Sequence, residues 1–146
     1  FYCSLLSVHP VTELDQLLPE TDLLFMSLPS VSDTVNILNA DRMALLPKGA
    51  YVVNVGRGTA IDQDALIKAL DSGHLAGAAL DVVVPEPLPA DHPLRKAKNL
   101  LLTPHVAGNM TLGYTCERNV QLFCENLENY AAGRPMHHLV DRRKGY

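Results

Sequence analysis

Four short, mainly apolar runs recur along this chain, at residues 23–28, 50–55, 75–80 and 99–103. Each run is followed directly by a proline, a glycine or an aspartate. Such continuous apolar runs are typical of strands that are covered on both faces. Stretches with helical periodicity separate the runs. Strands that alternate with helices predict an α/β fold, in which a parallel sheet has helices on both faces.

The segments between the runs carry helix signals. Apolar residues repeat at helical spacing over residues 12–18, 40–46 and 111–132, where we predict helices. Another helix should begin after Asp62, which is a good N-cap. It should end at Gly73, because glycine readily adopts the left-handed conformation that follows a helix.

Composition excludes several classes of function. The chain has 146 residues, of which 47% are hydrophobic and 19% charged, and its formal net charge is -4. These values predict a globular domain without the basic surface that binds nucleic acid, and no apolar stretch is long enough to span a bilayer. The three cysteines have no paired spacing, which predicts reduced thiols and a cytoplasmic location. The histidines lack the spacing of metal ligands, so we expect no metal.

Three reactive side chains follow three of the apolar runs. Arg57 stands between two glycines, Glu86 lies in a proline-rich loop, and His105 follows Pro104. Ligands of parallel α/β sheets bind outside the carboxyl ends of the strands, so these side chains should project from one edge. The paired N–H donors of Arg57 can hold a carboxylate, although a surface ion pair is the alternative.

Glu86 and His105 together can move a proton. A neighbouring carboxylate stabilises the imidazolium, which can protonate a carbonyl oxygen, and the neutral ring can accept the proton back. As alternatives, Glu86 could cap a turn and His105 could be structural. No GxSxG motif supports a serine nucleophile. An arginine, a histidine and a carboxylate suit the reduction of a 2-keto acid, for which a nicotinamide cofactor must supply the hydride.

Ordered motifs make the chain similar to the cofactor-domain portion of the D-isomer-specific 2-hydroxyacid dehydrogenases. The likeness runs over nearly the whole length and includes Leu28-Pro29 with Thr34, residues 48–58, Ile61-Asp62, and residues 76–82, 86–88 and 103–108. Residues 140–146 are loosely similar to the glyoxylate/hydroxypyruvate reductase branch of this family.

The resemblance implies a role for each matching residue. Arg57 would bind the substrate carboxylate, His105 would be the acid/base, and Glu86 would be its charge partner. Asp81 would hold the nicotinamide amide of NAD or NADP. The residues that would line the rest of the cofactor site are Leu28, Pro29, Thr34, Val55, Gly56 and Gly108. The fold implied is a Rossmann-like nucleotide-binding domain over residues 1–133, followed by a tail over residues 134–146.

The chain departs from the family pattern in two places. Val83 replaces the aromatic residue usual after Asp-Val, and the glycine-rich GxGxxG turn is absent. We expect the two strands associated with that turn to be missing between residues 23–28 and 50–55. We expect the sheet to close up, with residues 4–8, a possible strand, moving into the gap beside residues 23–28 in a flavodoxin-like order. Failing that, a second chain would fill the space.

These departures bear on activity. Without the turn that holds the pyrophosphate, we expect weak or undetectable turnover by this chain alone. The intact enzyme from which it would derive is expected to be an oxidoreductase that acts on a small 2-keto acid or D-2-hydroxy acid. A homodimer, possibly domain-swapped, is expected. A non-catalytic binding or regulatory protein, or a self-standing flavodoxin-like module, is the alternative.

Overall fold

A computed structural model describes residues 7–108 and 112–144. Within this part of the chain, four strands form one sheet: β1 (Leu23–Met26), β2 (Ala50–Asn54), β3 (Leu75–Leu80) and β4 (Leu100–Leu102). Every neighbouring pair is parallel, and the spatial order β1-β2-β3-β4 follows the sequence. The predicted α/β fold with a parallel sheet is therefore confirmed.

Four helices accompany the strands in the described residues. They are α1 (Leu14–Leu17), α2 (Ala40–Leu45), α3 (Gln63–Asp71) and α4 (Gly113–Ala131), and short 3-10 turns lie at Val11–Glu13, Leu18–Glu20, Ser32–Thr34, Gly58–Ala60 and Pro93–Lys96. As predicted, the Asp62 carboxylate caps α3 by accepting a hydrogen bond from the backbone N–H of Ala65 at 3.0 Å. Gly73 follows α3 with a φ of 70°, the left-handed conformation expected of it.

The core lies between one face of the sheet and the helices. Met26, Val52 and Leu80 point to this face and belong to one buried cluster with Met43 of α2 and Leu66 of α3. The bands of apolar side chains on α2 and α3 therefore bury against the same side of the sheet. Burial of large side chains of this kind is the dominant favourable contribution to folding.

The opposite face of the sheet differs from the sequence-based expectation. Leu23, Phe25, Tyr51 and Leu101 alternate with the core residues and are 53–62% exposed. Crossover connections between parallel strands are almost always right-handed. When the strands lie in sequence order, right-handed crossovers place all the connecting helices on the same face of the sheet. For that reason α2 and α3 cover one face, whereas helices were predicted on both.

The predicted closure of the sheet between residues 23–28 and 50–55 is confirmed, but the predicted insertion of another strand there is wrong. Strands β1 and β2 pair directly, from Leu23 opposite Tyr51 to Met26 opposite Asn54, so no other strand lies between them. The flavodoxin-like rearrangement thereby loses its premise. Residues 4–6 of the predicted extra strand lie outside the described residues, and Ser7 and Val8 are not in a strand.

The chain divides into two compact units, Phe1–His105 and Val106–Tyr146. Helix α4 lies in the second unit and is followed by Gly133 with a φ of 67°. The Asn126 side chain joins the helix to the segment after it, because its amide exchanges two hydrogen bonds with the backbone of His137, at 2.7 and 3.1 Å. The nucleotide-binding domain assigned to residues 1–133 stays a prediction.

Candidate active site

The carboxyl ends of β1 and β2 meet at Leu28 and Gly56. A Cβ atom at Gly56 would collide with the backbone of Leu28 and would lie 2.7 Å from its carbonyl oxygen. Only glycine allows the two chains to approach this closely. Nearby, the Thr34 hydroxyl donates to the Pro29 carbonyl at 2.7 Å and closes the turn after β1. Of the residues predicted to line a cofactor site, Leu28, Pro29, Thr34, Val55 and Gly56 therefore lie around one strand end.

A buried amide shapes the loop that carries Arg57. The Asn54 side chain is 1% exposed, its Nδ2 donates to the Arg57 carbonyl at 2.9 Å, and its Oδ1 accepts from the Gly56 N–H at 3.0 Å. Both polar ends of the amide are thus satisfied inside the protein. The Arg57 side chain is exposed, and its Nη1 donates to the Gly56 carbonyl at 2.8 Å.

The next glycine brings the Arg57 loop against the loop that carries Glu86. A Cβ atom at Gly58 would collide with the backbone of Val83. The Val83 N–H in turn donates to Oε1 of Glu86 at 2.9 Å. Arg57 and Glu86 are therefore held on adjoining loops at the same edge of the sheet.

Glu86 and His105 form a hydrogen-bonded pair at this edge. Nδ1 of His105 lies 2.7 Å from Oε2 of Glu86, and the two side chains are 48% and 36% exposed. The hydrogen bond from His105, followed by the one from the Val83 N–H, lowers the pKa of Glu86 below its ordinary value. An ionised carboxylate only accepts, so Nδ1 carries the proton in this pair and Nε2 points away from the glutamate.

The backbone at His105 is held against the end of β3. The His105 N–H donates to the Asp81 carbonyl at 2.9 Å, and His105 has a φ of 55°. Histidine is among the few non-glycine residues found in this left-handed region. The Asp81 carboxylate is buried and accepts a hydrogen bond from the Thr103 hydroxyl. The ends of β3 and β4 are therefore tied together beneath the imidazole.

A cavity of about 590 Å³ opens at this position. Asp81, Glu86 and His105 line it together with apolar side chains such as Leu88 and Leu102. Its volume lies within the range of ligand sites. Three of the predicted site residues thus share one cavity. Arg57 and the residues around the ends of β1 and β2 (Leu28, Pro29, Thr34, Val55 and Gly56) are not in its lining. Gly108 belongs to the second unit.

Sequence reasoning missed four side chains that build this edge. Besides Asn54 and Thr103, the Gln63 amide clasps the backbone of Val84 through two hydrogen bonds, at 2.6 and 2.8 Å. Arg95 lines the cavity. The position of Asn54, a polar residue near the end of an apolar run, was a usable signal. Gln63 and Val84 are 21 positions apart, and no local pattern joins them.

Metal binding and membrane insertion are two further functions to consider. Within residues 7–108 and 112–144, no group of three His, Cys, Asp or Glu side chains could hold a metal ion. None of the helices in the same part of the chain combines the length and apolar character needed to cross a membrane.

Comparison with known proteins gives a consistent result. A family model described as "D-isomer specific 2-hydroxyacid dehydrogenase, NAD binding domain" matches residues 5–107. The glyoxylate reductase of Aeropyrum pernix is 40% identical over 129 residues, which are 88% of this chain and 38% of that protein. The glyoxylate/hydroxypyruvate reductase A of Salmonella newport is 37% identical over 134 residues, covering 92% of this chain and 42% of that protein.

A solved structure agrees with these relatives. The D-isomer specific 2-hydroxyacid dehydrogenase of Xanthobacter autotrophicus Py2, crystallised with NADPH, superposes with a TM-score of 0.84 at 40% identity. The match covers 95% of this chain and 56% of that one. The chain thus spans about two fifths of the curated relatives named above and about half of this crystallised relative.

Proposed function

Because the chain belongs to the D-isomer specific 2-hydroxyacid dehydrogenase family, we propose that it carries the proton-transfer site for reduction of a small 2-oxo acid by NADH or NADPH. The observation that carries this proposal is the 2.7 Å pair of His105 and Glu86 in a cavity at the carboxyl edge of the sheet. The names of the reductases from Aeropyrum and Salmonella make glyoxylate and hydroxypyruvate the first substrates to test.

In this proposal His105 protonates the carbonyl oxygen through Nε2. Glu86 accepts from Nδ1 and thereby stabilises the imidazolium and fixes the ring orientation. Because Val83 holds the second oxygen of Glu86, the carboxylate does not rotate away from the ring. In the reverse direction, neutral Nε2 accepts the proton of the hydroxyl group.

We propose that Arg57 anchors the substrate carboxylate. Among residues 7–108 and 112–144, its guanidinium makes one hydrogen bond, to the carbonyl of its neighbour Gly56, and no carboxylate forms an ion pair with it. Four of its five N–H donors therefore remain for an anion. The hydrogen bond from the Asn54 amide to the Arg57 carbonyl and the close contact of Gly58 with Val83 support this proposal. Both hold the loop of Arg57 beside the loop of Glu86.

The residues at the strand ends suit a nicotinamide. The Asp81 carboxylate lines the cavity and could accept a hydrogen bond from a carboxamide N–H. We propose that Leu28, Pro29, Thr34, Val55, Gly56 and Gly108 line the remainder of the cofactor site. When bound, the cofactor supplies the hydride. Either NAD or NADP fits this proposal.

Further expectations concern the chain as a whole. We propose weak or undetectable turnover by these residues alone, since they include no glycine-rich pyrophosphate turn. The exposed apolar face of the sheet, with Phe25 and Tyr51, supports the proposal of a homodimer. A cytoplasmic location is proposed from the reduced cysteines.

Binding of an unreactive 2-oxo acid analogue tests the proposal without requiring turnover. Oxamate is titrated into the isotopically labelled chain, and NMR signals are followed. We expect saturable shifts at His105 and at Gly56 and Gly58, which flank the proposed anchor. Shifts confined to other residues would refute the site.

Matched charge variants identify the anchor. Arg57→Gln should weaken oxamate binding by about tenfold or more, because a charged hydrogen-bond donor to a carboxylate is lost. Lys48→Gln removes the same charge before the amino end of β2 and should leave binding unchanged. Equal effects of the two variants would show a general charge effect and remove Arg57 from its proposed role.

A further inference from the structure

A second guanidinium, that of Arg95, lines the cavity that holds His105 and Glu86. We propose that Arg95 binds a second anionic group on the substrate, so that this site favours 2-oxo dicarboxylates over 2-oxo acids with an uncharged tail. This inference rests on the proposed function and adds a substrate class to it.

The backbone of Arg95 is firmly placed. It lies in the 3-10 turn Pro93–Lys96, whose Leu94 is 1% exposed and belongs to the core. The His92 ring caps the turn by accepting from the Leu94 N–H at 3.2 Å. Burial of Leu94 therefore anchors the residue directly before Arg95, and the arginine emerges from a fixed point beside the cavity.

The Arg95 side chain is also held in place. Its Nε donates to the Pro89 carbonyl at 2.8 Å, and its Nη2 donates to the Leu88 carbonyl at 2.6 Å. Both acceptors are neutral. Two of the five N–H donors of the guanidinium are used in this way, which leaves three for a ligand. A guanidinium that is already oriented loses less side-chain entropy when it binds an anion.

Within the described residues, the positive charge of Arg95 is not neutralised by a carboxylate, because none forms an ion pair with its guanidinium. Both acidic residues of the same lining have other partners, because Glu86 is engaged by His105 and by the Val83 N–H, and Asp81 accepts from the Thr103 hydroxyl. An anion that enters the cavity therefore meets one unneutralised arginine there.

The rest of the lining matches the spacer of a dicarboxylate. Leu88, Leu102 and Pro104 present apolar surface in the same cavity. A short methylene chain packs against such surface, and a distal carboxylate can then pair with the guanidinium. Accordingly, 2-oxoglutarate combines the reacting 2-oxo acid group with a group of the kind that Arg95 would recognise.

The test compares two ligands of equal chain length. Dissociation constants of the chain for 2-oxoglutarate and 2-oxovalerate, which differ in the distal carboxylate, are measured by NMR titration or calorimetry. We expect the dicarboxylate to bind about tenfold more tightly, as one charge-assisted contact at a partly exposed site predicts. Arg95→Gln should remove this preference, whereas Lys96→Gln, which removes the same charge from the adjacent exposed residue, should preserve it.

Arg95→Lys separates recognition from a structural role. Lysine keeps the charge but loses the planar fork that holds the Leu88 and Pro89 carbonyls, so part of the preference should remain. Equal affinities of the unaltered chain for the two ligands, or an equal loss of both in Arg95→Gln, would overturn the inference and leave the proposed function standing. Failure of both ligands to bind would overturn the proposed function together with the inference.

Discussion

Replacing Asn54 by alanine should destabilise the first unit of the chain more than its small change in volume suggests. The Asn54 amide satisfies the buried N–H of Gly56 and the carbonyl of Arg57. Truncation leaves the Gly56 donor without this partner in a buried setting, which costs about 1–3 kcal/mol, and loss of the second bond adds about 1 kcal/mol. We therefore expect a loss of about 2–4 kcal/mol, a large part of the stability of an ordinary domain.

Urea unfolding measures this loss. With an m value of about 2 kcal/mol/M, the midpoint should fall by about 1–2 M. Gln63→Ala is a suitable control because the Gln63 amide also makes two hydrogen bonds to backbone, at Val84, but in an exposed setting. That variant should lose about 1 kcal/mol or less, since water replaces the missing bonds. If Asn54→Ala is no less stable than Gln63→Ala, the stabilisation assigned to the two buried hydrogen bonds of the Asn54 amide is refuted.

Two other predictions concern stability at the same edge. Gly58→Ala should lower the free energy of unfolding by about 1–3 kcal/mol, because the added Cβ would collide with the Val83 backbone. The control Gly113→Ala should be tolerated, because a Cβ there meets nothing within 4 Å. Equal thermal midpoints of the two variants would contradict this account. The pKa of Glu86 is lowered in the folded chain, so its carboxylate should contribute to the free energy of unfolding. This contribution should be fully present above the ordinary glutamate pKa of about 4.3 and should be lost progressively as the pH falls through the lower folded value. Because the pair of Glu86 and His105 is exposed, the unaltered chain should exceed Glu86→Gln in free energy of unfolding by about 1 kcal/mol or less near neutral pH. This difference should shrink in acid, and a difference that grows in acid would contradict the lowered pKa of Glu86.

Much of the fold is encoded in local patterns. Continuous apolar runs predicted all four described strands, and the cap at Asp62 and the stop at Gly73 were read from single residues. Strand β1 ends at Met26 rather than at residue 28. Beyond it, Leu28 lies against Gly56, a long-range contact that a local apolar pattern does not reveal.

The remainder depends on how distant segments meet. The predicted insertion of a strand between residues 23–28 and 50–55 failed because strand order follows from pairing, here of β1 with β2, and not from the character of either run. Likewise, the partners of Asn54, Gln63 and Arg95 become visible only after their loops are in place. Glu86 and His105 were predictable as a pair, since both follow strands that end at one edge.

A crystal structure of the chain with oxamate tests the central claim most directly. The account predicts that the carboxylate of oxamate pairs with Arg57 and that its amide carbonyl lies within hydrogen-bond reach of Nε2 of His105, at roughly 2.6–3.2 Å. Oxamate bound away from His105, or an Arg57 guanidinium that cannot reach an anion held by His105, would contradict it.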